Sequence, residues 1–134
     1  MSIKNITLGH LSTLHLRHPA TDALLYNDDK TPMTITLVGE HSDEYRSVTR
    51  RWQNEVLRKP NRKLTAEQVE ERGIDLLVAC TKGWKIQWDD EGLLPFSPET
   101  VREKYSDREY AWIKAQVEAH IYEASNFLGE SSRS

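Results

Sequence analysis

The sequence predicts an α+β fold, a small N-terminal antiparallel β-meander packed against three to four α-helices. Three observations carry that expectation. Apolar and polar residues alternate through much of the first forty positions, the spacing lengthens to the helical period from Ser42 onward, and most helical stretches open on a capping pattern. At 134 residues, one domain is expected, with the meander at 1–41, a helical part at 42–129 and a flexible tail at 130–134.

In "TLHLR", residues 13–17, Leu14 and Leu16 alternate with Thr13, His15 and Arg17, the period of a half-buried strand. Pro19 breaks that run, "ALLY" reads as a second strand, and "NDDK" closes it with turn formers. "MTITLVG" supplies the third, with Met33, Ile35 and Leu37 on one face. Such a meander is stable only if its apolar face is covered.

Ser42 caps the first expected helix, whose opening turn holds Asp43 and Glu44 where negative charge complements the helix dipole. Tyr45, Val48, Trp52 and Val56 form its apolar stripe, and Pro60 ends it. Thr65 and Gln68 have capping-box spacing for the second helix, with Leu64 and Val69 as a hydrophobic staple. Its inward face is expected to be Val69, Gly73, Leu76, Leu77 and Cys80, widened by Ile74 and Val78, with Gly83 as the stop. Ser97, Pro98 and Glu99 open a short third helix. Ser106 and Glu109, flanked by Tyr105 and Tyr110, open a fourth, which should run from residue 110 to 128 and stop at Gly129. Trp112, Ile113, Val117 and Ile121 are expected to be buried along it.

Composition narrows the function classes. The chain is 37% hydrophobic and 29% charged, so a modest core is surrounded by solvated helix faces. A net charge of -3 gives the whole molecule no electrostatic reason to seek nucleic acid or an anionic membrane. The start, "MSIKNITLGH", lacks the apolar run of a signal peptide, and no stretch approaches membrane-spanning length. Cys80 is the single cysteine, which fits a reducing cytoplasm.

No catalytic motif stands out. There is no G-x-S-x-G, P-loop or G-x-G-x-x-G, so neither an enzyme nor a cofactor is expected. "WDDEG" fails the EF-hand pattern, because counting from Asp89 puts Leu94 at position six and Thr100 at position twelve. His10, His15 and His18 lack the further ligands that structural zinc needs, so no metal is expected. The basic stretch "RSVTRRWQNEVLRKPNRK" reads as a solvated face around an apolar stripe rather than a nucleic-acid site.

The unusual segment is "TKGWKIQWDDEGLLPFSPETV", residues 81–101, which packs aromatic and apolar weight among glycines and prolines. Trp84 follows the expected helix stop and should anchor inward, as should Trp52 and Trp112 on their helices. Trp88, Leu93, Leu94 and Phe96 lie where turns and prolines work against a regular buried face, which makes them the candidate partner-binding residues.

In order along the chain, "LRHPATDALLY", "MTITLVGEHSDEYRSV", "LTAEQ…LLVACTKGW", "LPFSPETV" and "AWIKAQVEAHIYEASNFL" resemble the tail assembly chaperones of bacteriophages with long non-contractile tails. The resemblance covers residues 16–128, and its order and spacing carry it more than any one motif. Asp22 departs from it, standing where glycine is expected. The resemblance implies a non-enzymatic assembly factor in the infected host's cytoplasm, absent from the finished virion. It would bind the tape measure protein, keep it soluble while tail tube subunits polymerise, and act as a homo-oligomer. A chain ending "NFLGESSRS" resembles the short form of such a protein, a longer frameshifted form reaching the tail tube protein. The competing readings are a tail terminator or connector retained in the particle, and a small nucleic-acid-binding regulator.

Overall fold

The structure is a computed structural model that describes residues 2–90 and 92–128. It is an α+β fold of a three-stranded antiparallel sheet, a small β-ribbon and four helices among the described residues. Strand β1 (Ser12–His15) pairs with β2 (Thr34–Leu37), Ser12 opposite Leu37 and His15 opposite Thr34. The other edge of β2 is taken by β3 (Thr81–Lys85), with Ile35 opposite Trp84.

The sheet therefore differs from the expected meander. "ALLY" forms only isolated bridges, Arg17 to Leu24 and Tyr26 to Pro32, and the third strand comes from within the part expected to be helical. The segment is confined between tight turns, where Asp22 and Lys30 take left-handed φ values of 62° and 70°. Asp22 thus meets the conformation for which glycine was expected, at a residue type that tolerates it.

Helix α1 (Asp43–Arg58) starts as expected, the Ser42 hydroxyl accepting from the Tyr45 N–H. Val48 is buried, while Tyr45 and Trp52 are half-buried. Val56 leaves the expected stripe, being 56% exposed. Helix α2 (Ala66–Cys80) carries the full capping box of Thr65 and Gln68. Its inward residues are Ile74, Leu76, Leu77 and Cys80. Val69 does not join them: it is 57% exposed and Leu64 only half-buried, so the staple is not closed. Burial on α2 begins with the half that faces α3, where Asp75 pairs with Arg102.

The end of α2 is also not the glycine stop. Thr81 leaves the helix directly into β3, and Gly83 lies inside that strand. The Thr81 hydroxyl donates to the Leu77 carbonyl at 2.7 Å and shares a 2.8 Å hydrogen bond with the Tyr105 hydroxyl, while the Val38 N–H donates to the Cys80 carbonyl. These bonds take up the helix-terminal carbonyls and start strand pairing at once, so no left-handed residue is needed. Burial pushes the Cys80 thiol up to about 12, which leaves it a protonated core residue rather than a nucleophile.

Helix α3 (Pro98–Ser106) begins with Ser97 accepting from the Thr100 N–H and buries Val101 and Tyr105. Ser106 ends this helix instead of capping the next. The cap is Asp107, whose carboxylate accepts from the Glu109 N–H to start a 3-10 turn, Arg108–Tyr110. Helix α4 (Ala111–Tyr122) buries Ile113, Val117 and Ile121, with Trp112 half-buried. It stops well short of residue 128, where Glu123 caps a second 3-10 turn, Ala124–Phe127, and the Asn126 side-chain amide donates to the His120 carbonyl. The expected stop at Gly129 and the tail lie outside the described residues. Phe127 is buried against Gly39, where an added Cβ would come within 3.0 Å of both its ring and the His41 ring.

His120 joins this corner to β1, its Nε2 sharing a 2.8 Å hydrogen bond with the Ser12 hydroxyl. Burial holds its pKa below the ordinary 6.5, because the charged imidazolium is poorly solvated there. The unfolded chain therefore binds the proton more readily, so this contribution to stability is present above about pH 6.5 and is lost as pH falls toward the lowered native value. His120→Gln should flatten the fall in melting temperature between neutral and mildly acid pH; an unchanged slope would remove the effect. Leu77→Ala should cost about 2–5 kcal/mol in urea unfolding. Val69→Ala should stay within about 0.5 kcal/mol of the parent.

Candidate functional site

The chain from Thr81 runs through β3 and into β4 (Gln87–Asp89), which pairs with β5 (Gly92–Leu93) as a separate ribbon. Side chains two apart on extended chain share a face, so Trp84, Ile86 and Trp88 all turn toward the core. Ile86 is buried and both tryptophans are half-buried against the core cluster. The run is more regular than its flanking glycines and prolines imply, and this is why Trp88 is a core-facing residue as well as a surface one.

Asn27 fixes that run in place. It is buried, its side-chain amide donating to the carbonyls of Thr31, Pro32 and Lys85, while its Oδ1 accepts from the Gln87 N–H at 2.8 Å. One side chain thus ties the 28–31 turn to the β3–β4 junction. In the sequence it is one more polar residue of a turn, and nothing local marks its partners some sixty positions away.

The aromatic rings form a continuous shelf. Trp84 meets Trp88 edge-on at 5.1 Å and Phe96 at 5.3 Å, and Trp88 meets Tyr110 at 5.1 Å. The Lys104 ammonium lies 4.8 Å from the Trp88 ring centre and 5.3 Å from that of Tyr110, within cation–π range. Phe96 is 39% exposed at the shelf's edge and Leu94 is half-buried. The Leu93 side chain lies outside the described ones.

Beside the shelf opens an apolar cleft of about 400 Å³. Leu16, Ile86 and Ile113 lie at its base, with Leu25, Met33, Trp88, Tyr110 and Trp112 around them and His18, Pro19 and Gln87 also lining it. Gln116 of α4 braces the neighbouring backbone: its side chain accepts from the Arg17 N–H at 2.9 Å and donates to the Arg17 carbonyl at 2.8 Å. The cleft joins Trp88, expected at a partner surface, to Trp112, expected as an anchor. Trp52 stands apart from both, half-buried in a shallow groove on α1 with the Arg72 guanidinium 5.6 Å from its ring centre.

The cleft's lining is mostly apolar. The three histidines considered for zinc each have a partner within the chain: His15 bonds the Leu25 carbonyl, His18 Nδ1 accepts from the Ala20 and Thr21 N–H groups, and His10 lies 3.6 Å from Glu44. Among the described residues, no group of three or more His, Cys, Asp and Glu could hold a metal ion.

Asn27→Ala should lose about 1–3 kcal/mol, since it strands part-buried backbone groups of Lys85 and Gln87. Phe96→Ala should lose less than about 1 kcal/mol because its ring is already partly solvated. Chemical denaturation of the two variants checks this, and a reversal of the order would mean that Phe96 carries the shelf. No model of a known protein family, no curated protein and no solved structure matches the chain.

Proposed function

We propose that the protein is a phage tail assembly chaperone that uses the apolar cleft to hold a tape measure protein in soluble form. The supporting observation is convergence. His18–Pro19, Trp88 and Trp112 come from segments in or beside the motifs that carry the resemblance, and they line one open cleft. A cleft of about 400 Å³ suits one or two large apolar side chains, the anchors by which a helical segment seats in a groove. Leu94 and Phe96 extend the apolar surface beyond the cleft. Several copies acting along one long client would multiply modest individual contacts, which is why a homo-oligomer belongs to the reading. A frameshifted longer form would link the client to the tail tube protein in the host cytoplasm, and the chaperone would be absent from the particle.

No helix among the described residues is long and apolar enough to cross a membrane. The chaperone reading itself is tested by co-expression with a tape measure protein encoded beside this chain's gene. The client should move from the insoluble to the soluble fraction, and mass spectrometry of purified virions should find no copy of this chain. A client that stays insoluble, or a chain retained in virions, would favour a terminator or connector. Trp112→Gln should then reduce client solubility severalfold, about the effect of weakening one interface anchor, while the variant keeps a cooperative thermal transition. Undiminished client solubility would move the binding surface away from the cleft.

A further inference from the structure

The second half of α1 has a surface that the cleft does not explain. At 3.6 residues per turn, Arg46, Arg50, Gln53 and Leu57 share one face of the helix, opposite the buried Val48. Leu57 is 79% exposed and its neighbour Val56 is 56% exposed, and both line a shallow groove with Thr49, Trp52 and Gln53. Cations border this apolar ground on the Leu57 side, Arg46 and Arg50 nearest and Arg51 and Arg58 further round the helix. Arg46, Arg50, Arg51 and Arg58, followed by Arg62 and Lys63 in the linker, have no acidic partner among the described residues. Glu55, the acid within this stretch of helix, is already paired with Arg72 of α2. A chain with a net charge of -3 thus places unpaired positive charge beside two exposed apolar residues of α1.

We propose that this face of α1 docks an acidic amphipathic helix of a partner protein, apolar residues on the Val56–Leu57 groove and carboxylates toward the flanking arginines. The two parts of the surface call for the two parts of the ligand. Val56 and Leu57 gain by burial against an apolar stripe, and the arginines gain paired, partly desolvated carboxylates. A nucleic acid satisfies the cations but leaves exposed aliphatic side chains with nothing to bury them. A second copy of this chain offers a weaker match, since the acids flanking exposed Val69 on α2 are Glu67, Glu70 and Glu71, too few for the cations present. The proposal is independent of the cleft and of the tail assembly reading.

The test uses the full chain and a fluorescein-labelled synthetic helix of about five turns, with leucines three and four apart flanked by glutamates. A lysine-flanked version of the same helix is the control. Anisotropy should rise with the acidic helix and not with the basic one, and added salt should weaken the binding. Leu57→Asp should reduce affinity about tenfold or more, the scale of one large apolar side chain withheld from burial. Arg50→Glu with Arg51→Glu should reduce it as well, and both variants should melt like the parent because these side chains are exposed. Equal binding of the two helices, or no loss with Leu57→Asp, overturns the proposal. So does tighter binding of a single- or double-stranded oligonucleotide that is indifferent to Leu57→Asp. Sedimentation of the chain alone as an oligomer that Leu57→Asp dissolves would assign the face to a second copy instead.

Discussion

The joint at Cys80 and Thr81 is the constraint from which the rest of the arrangement follows. A helix ending in the core must satisfy its last carbonyls there, because water is not available to do so. Thr81 does this by returning its hydroxyl to Leu77 and engaging Tyr105, while Cys80 accepts from Val38 beside β2. The chain therefore passes from α2 into β3 without a connecting loop. That places β3 on the free edge of β2, ties α3 to the same point through Tyr105, and leaves Ile35 and Leu37 fully buried.

From this joint the aromatic shelf is a consequence of strand geometry. Once Thr81 is fixed in the sheet, the two-residue period sends Trp84, Ile86 and Trp88 to the core side together, and Asn27 keeps the run from twisting away at Lys85 and Gln87. The tryptophans are too large to be covered completely by a small sheet and four helices. Their remaining surface meets Tyr110, Phe96 and Lys104, and next to it lies the cleft. Any binding at the cleft would draw on side chains that also hold the core together, which makes large truncations at Trp84 or Trp88 poor probes of the proposed binding. A residue at the margin, such as Phe96, separates the two roles better.

The α1 face follows a different logic. Its exposed residues contribute little to the monomer's core, yet Leu57 and Val56 remain apolar among arginines. Scattered exposed apolar residues are ordinary on a protein surface. Two adjacent ones bordered by unpaired cations have a defined chemical complement, and this distinguishes them from Val69, whose neighbours are acids.

Features that depend on neighbours a few positions away were legible in the residues alone. The hydroxyls of Ser42, Thr65 and Ser97 cap their helices, Pro98 begins α3, and Ile113, Val117 and Ile121 form the inward face of α4 as the helical period requires. Tertiary structure decided whatever depended on a distant partner. Gly83 has the local character of a helix stop, but pairing with β2 makes it a strand residue, because the sheet edge supplies hydrogen bonds that a turn would otherwise provide. Val56 and Val69 fit their helical stripes, yet a stripe is buried only as far as another element reaches over it. The composition around Trp88 suggested an accessible side chain, but not a cleft shared with Leu25, Met33 and Trp112. Asn27 gave no local sign at all. Its bonds to Lys85 and Gln87 exist only after the chain has folded, since a hydrogen bond across sixty residues leaves no pattern in the residues between.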